Sequence, residues 1–225
     1  MANHLDLEEQ EQLDQLKHFW AQYGNWITWV LIVVLGGFAS WNGFQYWQRT
    51  QAVQAAALYD EVERMALSAD SDKTIRAFEE MKARFGSTVY AQQAGLLASK
   101  TAEVAGNSQA SLTALTWVAE KGADKGYAGV AKLRLASALI AQKSYDLAEK
   151  ALQGLDADFE PLAQDRRGDI YAIQGKKTEA IAAYKAAYGM FDGRSDYRRL
   201  VEVKLNALGV HVDATLSKTI VEAAK

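Results

Sequence analysis

The sequence predicts an all-α protein in which a single N-terminal transmembrane helix is followed by an α-solenoid of about four helical hairpins. Three observations lead to this prediction: a long uncharged run flanked by aromatic residues, a remainder with a single proline, Pro161, and regularly spaced helix breaks. The remainder is rich in Ala, Leu, Lys, Glu and Gln, which favour helix because they lose little rotamer freedom there. We divide the chain into an acidic tail (1–25), a membrane helix (26–47), a repeat domain (48–210) and a C-terminal tail (211–225).

The charge distribution and the residue types argue against several functional classes. Residues 1–25 have a net charge of −4 and residues 49–225 a net charge of +1, and the domain has no basic stripe that would neutralise phosphates, so no nucleic-acid partner is expected. Cysteine is absent, and the three histidines, His4, His18 and His211, lie near the chain ends. The domain centre therefore lacks the commonest metal ligand and catalytic base. We expect no catalytic residue, no metal and no cofactor.

The membrane helix is predicted from a run without a single charged residue. Residues 19–48 are uncharged over 30 positions, and about 20 apolar residues span a bilayer core. Five of the six tryptophans lie in this run, on both sides of its apolar centre, which is where indole rings meet the two membrane interfaces. The alternative, a buried helix of a soluble core, would not explain these aromatic flanks.

The segment is expected to remain as an anchor, with an orientation that charge counting leaves open. A cleaved signal peptide needs a positive start, whereas the 18 residues before this run are acidic overall, and no small-x-small cleavage pattern precedes Trp41 and Trp47. Lys17 is the nearest cation on one side and Arg49 on the other. The positive-inside rule therefore decides nothing here.

A stripe of small side chains runs along one face of the membrane helix. Gly36, Ala39, Ser40 and Gly43 recur at i, i+3, i+4 and i+7. Such a stripe lets a second membrane helix approach closely, so a helix–helix contact is one interpretation. The other is that glycine is simply frequent in membrane helices.

Beyond the membrane, breaks divide the chain into helices of about 11–20 residues, as short connections between antiparallel neighbours require. Neither Gly nor Pro occurs at residues 45–85, so the membrane helix is expected to run on through residues 48–67. From residue 26 to residue 66 it would measure about 60 Å. Breaks follow at residues 68–72, 86–87, 106–108, 122–124, 143–144, 156–158, 175–176 and 192–195.

Two hairpins carry a repeat signature. In residues 168–187, small and aromatic residues alternate with the spacing of a tetratricopeptide repeat, through Gly168, Tyr171, Gly175, Ala180, Tyr184 and Ala187. Small residues let the two helices touch, and aromatic rings fill the gap between hairpins. The preceding hairpin repeats the pattern with Lys143 at the position of the turn glycine. Two earlier hairpins, near residues 52–85 and 88–121, fit by helix length but lack most signature residues.

The order of these parts resembles the YfgM family, the ancillary subunits of the bacterial Sec translocon. The resemblance covers nearly the whole chain and is carried by the acidic tail, the aromatic-flanked span, the degenerate repeats and the run VEVKLNAL at residues 201–208. It implies an inner-membrane protein with a cytoplasmic N-terminus and a periplasmic repeat domain. It also implies association with the SecYEG channel and with the membrane-anchored chaperone PpiD, where unfolded secreted proteins emerge. The family has no catalytic motif to transfer.

Three functions compete on this evidence. The first is a protein-binding module, because solenoids present extended surfaces to partners. The second is an enzyme using Asp165 and Asp169, although carboxylates four residues apart are common on solvated helices. The third is a membrane-tethered scaffold for another envelope complex, such as one for cytochrome biogenesis.

The first helices of the two clear hairpins predict a partner groove. Its residues are Leu133, Ser137 and Ile140 from one hairpin and Asp165, Asp169 and Ala172 from the next. An apolar strip beside two carboxylates would suit a segment with apolar and basic residues. As surface carboxylates, Asp165 and Asp169 are expected to tolerate charge reversal. The alternative is that Leu133 and Ile140 are ordinary core residues.

Overall fold

The computed structural model describes residues 7–212, which form α-helices joined by short turns, with no strand among them. The all-α prediction is thereby confirmed. The first six residues of the predicted acidic tail lie outside the described residues, as do residues 213–225 of the predicted C-terminal tail.

The longest helix is α1 (Leu7–Leu67), which has 61 residues. The expectation of one uninterrupted helix from residue 26 to residue 66, which was based on the lack of Gly and Pro at residues 45–85, is confirmed. The chain divides into two compact units, residues 1–53 and residues 54–225. In the first unit, the large apolar side chains from Val30 to Phe44 are all more than half exposed. The helix is long and apolar enough to cross a membrane.

The second unit is an up-and-down array of helices. After residues 54–67 of α1 come α2 (Ser71–Phe85), α3 (Val89–Val104), α4 (Ser108–Lys121), α5 (Lys125–Ala141), α6 (Tyr145–Ala151), a 3₁₀ turn (Ala157–Phe159), α7 (Glu160–Ile173), α8 (Lys177–Met190) and α9 (Asp196–Ala207). Packing between successive helices makes four hairpins, α1–α2, α3–α4, α5–α6 and α7–α8, which α9 closes. The predicted solenoid of about four hairpins is confirmed. Each predicted break coincides with a connection between helices, although residues 71–72 and residue 108 already belong to the first turns of α2 and α4, and residues 157–158 to the 3₁₀ turn.

Each hairpin turns through one residue in the left-handed region. These residues are Ala69, Gly106, Lys143 and Gly175, with φ of 57°, 77°, 60° and 74°. At Gly175 the turn is closed by bonds from the Gly175 amide to the Ala172 carbonyl and from the Lys176 amide to the Tyr171 carbonyl. Lys143 and Ser144 make the same two bonds to Ile140 and Leu139. The third hairpin therefore keeps the turn without its glycine, although a left-handed conformation costs a non-glycine residue about 1 kcal/mol.

The breaks also supply helix caps. The side chains of Asp70, Thr88, Asn107 and Asp124 each accept a hydrogen bond from a backbone amide in the first turn of the next helix. Such a cap satisfies a donor that has no partner inside the helix and contributes about 1 kcal/mol. The turns thus start the next helix as well as end the previous one.

The close approach of α7 and α8 follows the repeat signature. Gly168 lies against the ring of Tyr184 so closely that a Cβ at Gly168 would overlap the ring. Tyr184 is 3% exposed, so its ring fills the space that glycine leaves. The same relation joins Gly95 of α3 to Phe78 and Val118, although that hairpin lacks a recognisable signature.

Candidate functional site

The structure brings part of the predicted partner groove together. Ser137 of α5 accepts a hydrogen bond from Arg166 Nε of α7 at 3.0 Å, and Arg166 Nη1 donates to Asp165 Oδ2 at 3.0 Å and Asp169 Oδ2 at 3.2 Å. Arg166 therefore links three of the six predicted residues. We did not single out Arg166 from the sequence.

The apolar half of the predicted groove lies at the edge of the core. Leu133 and Ile140 are half-buried and pack against a cluster that includes Ala136, Leu139 and Leu152. Ala172 is half-buried and packs against the cluster around Tyr184. This packing is what is expected if Leu133 and Ile140 are ordinary core residues. Their role in binding a partner stays a prediction.

The expectation that Asp165 is a surface carboxylate is wrong. Asp165 is fully buried, and its two carboxylate oxygens are occupied. Oδ1 accepts from Lys204 Nζ at 2.7 Å, and Oδ2 accepts from the Tyr197 hydroxyl at 2.8 Å as well as from Arg166. A lysine at position 165 would place a third cation beside Arg166 and Lys204, so charge reversal would destroy this arrangement.

Asp169 belongs to the same network, although its side chain is 24% exposed. Asp169 Oδ1 accepts from Lys204 Nζ and from the Tyr184 hydroxyl, both at 2.7 Å, and Oδ2 accepts from Arg166. Lys204 Nζ thus bridges two carboxylates of α7. The charges of two carboxylates and two basic groups balance one another. Together with the two phenol hydroxyls, these groups join α7, α8 and α9.

The two tyrosines respond to these neighbours. The pKa of Tyr184 is raised, first by burial and then by its hydrogen bond to Asp169. Burial, followed by the hydrogen bond to Asp165, raises the pKa of Tyr197 to about 12. Both phenols stay protonated at neutral pH and act as donors to the carboxylates. The two hydroxyl groups therefore remain hydrogen-bond donors across the physiological range.

No local sequence pattern predicts the hydrogen-bond network around Asp165. Lys204 and Tyr197 lie 39 and 32 residues beyond Asp165. The one local signal is the i, i+4 spacing of Asp165 and Asp169, and carboxylates with this spacing are typical of a solvated helix face. The run at residues 201–208, which we used only for the family resemblance, contains Lys204.

The stripe of small side chains lies on an exposed face of the membrane helix. Gly36, Ala39, Ser40 and Gly43 are exposed, and a Cβ built at Gly36 or Gly43 would meet nothing within 4 Å. Asn42, beside the stripe, bonds to the carbonyl of Phe38 at 2.9 Å. Bonding to its own backbone is how a polar side chain is satisfied in a lipid-exposed helix.

An apolar groove that the sequence did not predict lies between α4, α5 and α6. It has a volume of about 360 Å³ and is lined by residues that include Leu112, Leu135, Leu139 and Leu147. Leu147, Lys150 and Ala151 of the short helix α6 form one side of it. Among residues 11–212, whose side chains are described, no three His, Asp or Glu residues are placed to hold a metal ion.

Comparison with known proteins finds sequence relatives that cover most of this chain. The sequence model of a family described as a tetratricopeptide repeat-like domain matches residues 17–210. A Neisseria gonorrhoeae protein named ancillary SecYEG translocon subunit is 32% identical over 210 residues, which are 92% of this chain and 100% of that protein. A Haemophilus influenzae protein of the same name is 25% identical over 203 residues, 90% of this chain and 98% of that protein. No solved structure matches the chain.

The buried network generates a prediction about stability. Replacement of Lys204 by methionine keeps an apolar stem and leaves both carboxylates without their shared cation, so it should lower the free energy of unfolding by about 3 kcal/mol. The matched control is Arg199→Met on the same helix, because Arg199 also pairs with an aspartate but is 82% exposed. That change should stay within about 0.5 kcal/mol.

Urea unfolding of the full chain in detergent micelles, followed by circular dichroism, measures both variants. Equal stability of Lys204→Met and Arg199→Met would show that the network contributes nothing to the fold.

Proposed function

This chain belongs to the YfgM family of tetratricopeptide repeat-like proteins, and we propose that it is a membrane-anchored, non-catalytic protein-binding subunit of the SecYEG translocon. The observation that carries the proposal is the match of the Neisseria gonorrhoeae relative over its whole length. Because the match covers 92% of this chain, it includes the apolar span as well as the repeats. The names of the relatives describe a subunit of a channel and not an enzyme.

The proposal assigns each part of the chain to a compartment. Residues 1–25 are the cytoplasmic tail, residues 26–47 cross the inner membrane, and residues 48–210 form the repeat domain in the periplasm, with residues 211–225 as its tail. Within residues 7–212, one helix is long and apolar enough to cross a membrane, which supports one crossing by this part of the chain. The orientation rests on the family resemblance, since the flanking charges are balanced.

Protease accessibility tests this orientation. Protease added to spheroplasts should remove the repeat domain from a chain tagged at the N-terminus, and the tag should survive on a short membrane-bound fragment. A cytoplasmic protein provides the control for intact membranes. If the domain survives until the membrane is broken, the proposed orientation is wrong.

The repeat domain is the part that would meet proteins at the channel exit. Solenoids bind partners over extended surfaces because each hairpin adds one more row of side chains. The partners proposed here are the membrane-anchored chaperone PpiD and unfolded secreted proteins as they emerge. The half-buried side chains along the first helices of the hairpins and the groove between α4 and α6 are surfaces that such partners could cover.

Co-purification tests the association. The tagged full chain, extracted in a mild detergent, should recover the SecYEG channel and PpiD, as mass spectrometry of the eluate would show. A tagged unrelated single-span protein controls for nonspecific recovery. Recovery of another envelope assembly in place of SecYEG would contradict the proposal and favour the scaffold alternative.

The small stripe of the membrane helix is proposed to contact a helix of the channel. Its four residues are exposed and leave a flat strip along α1, which allows the backbones of two helices to approach. Van der Waals packing and lipid release, rather than apolar burial from water, favour such a contact in a bilayer.

Added bulk on the stripe should weaken this contact. Gly36→Leu and Gly43→Leu should reduce recovery of SecYEG severalfold while the chain still inserts. Val34→Leu is the matched control, because at about 100° per residue it lies on the opposite face of the helix from Gly43. If both glycine variants recover SecYEG as well as Val34→Leu does, the stripe has no part in the contact.

A further inference from the structure

Three tyrosines from three successive first helices lie side by side in the repeat domain. The rings of Tyr59 of α1 and Tyr90 of α3 are 6.0 Å apart between centroids. Tyr127 of α5 accepts a hydrogen bond from Gln93 Nε2 of α3 at 2.5 Å. All four side chains are half-buried. They therefore keep part of each ring or amide at the surface, and we call these four residues with Glu63 the tyrosine face.

The tyrosine face carries negative charge. Burial raises the pKa of Tyr59, and the Glu63 carboxylate, the Tyr127 phenol and the Asp60 carboxylate raise it further, in that order. Glu63 lies one helical turn beyond Tyr59 and is exposed. Among the residues the structure describes, neither Glu63 nor Asp60 forms an ion pair. The carboxylate of Glu63 is thus available one helical turn from Tyr59.

Aromatic rings next to a free carboxylate are suited to one chemical class of ligand. A cation over a tyrosine ring is attracted by the negative face of the ring. The same cation can pair with a carboxylate at the edge of the ring, and an arginine guanidinium does both because it is flat and carries several donors. Neutral or acidic side chains gain neither interaction.

We propose that the tyrosine face binds an arginine or lysine side chain of an extended polypeptide segment. The ring pair of Tyr59 and Tyr90 receives the cationic group, and Glu63 pairs with it. The hydrogen bond from the Gln93 amide to the Tyr127 hydroxyl holds the neighbouring surface in place. The inference rests on the proposed function, because it names the chemistry of a protein segment that the repeat domain would hold.

Two labelled peptides test the site on the full chain in lipid nanodiscs. Both have twelve residues of Gly, Ser and Leu and differ only at the centre, where one has arginine and the other its neutral isostere citrulline. Fluorescence anisotropy should show tighter binding of the arginine peptide. Glu63→Gln should weaken that binding about fivefold and leave the citrulline peptide unchanged.

Two further variants separate this interaction from misfolding. Tyr59→Leu keeps an apolar side chain and removes the ring face, so it should also reduce the preference for arginine. Glu61→Gln is the matched control: Glu61 is another exposed carboxylate of α1, but it lines a different cavity with Lys73 and Arg76. It should bind both peptides as the unmodified chain does, with the same circular dichroism spectrum.

The outcomes distinguish the inference from the proposed function. A chain that recovers SecYEG but binds the two peptides equally, or not at all, overturns the inference and leaves the proposed function standing. A chain that prefers arginine but recovers no SecYEG supports the inference and removes the proposed function. Equal affinities of Glu63→Gln and Glu61→Gln for the arginine peptide would also overturn the inference.

Discussion

Close approach of helices through very small residues is the constraint on which the repeat domain depends. Fourteen of the 27 buried apolar residues described are alanine. An alanine side chain buries little area, so its helices hold together only if their backbones come close enough for many weak contacts. Glycine makes room for some of the large side chains, as Gly129 does for Phe159 and Gly168 for Tyr184. The aromatic position at Tyr184 thus depends on the small residue at Gly168.

An alanine-rich core leaves the joints between hairpins to be fixed by polar contacts. Gln92 of α3 exchanges two hydrogen bonds with the backbone of Asp124, the residue that caps α5. Arg167 of α7 pairs with Glu149 of α6 at 3.0 Å, and also with Glu160 of its own helix at 2.8 Å. The Asp165 network does the same between α7 and α9. Because each contact needs one specific partner, the joints define which helices are neighbours where apolar packing alone would be permissive.

The fold could be predicted because its signals are local, whereas the polar network could not. The ends of the helices, the membrane helix and the connections between helices depend on residues that are close in sequence. Even position 143, where lysine replaces the expected glycine, adopts the predicted turn. Asp165 was misjudged because its partner Lys204 is 39 residues away, and the pairing exists only after α9 has folded back. Burial of a charge is a property of the assembled helices. A single sequence gives no measure of it.

The long helix α1 shows how the surroundings of one element determine what its residues mean. From Val30 to Phe44 its apolar side chains are exposed on every side, which requires a solvent as apolar as they are. In the second unit only one face is apolar, with Ala55 and Val62 fully buried at i and i+7 against α2 and α3. Along one continuous helix, apolar side chains therefore change from covering all faces to lying on one face. An anchor alone would not require the helix to continue beyond the membrane interface. The continuation of α1 supplies the first helix of the first hairpin in the array.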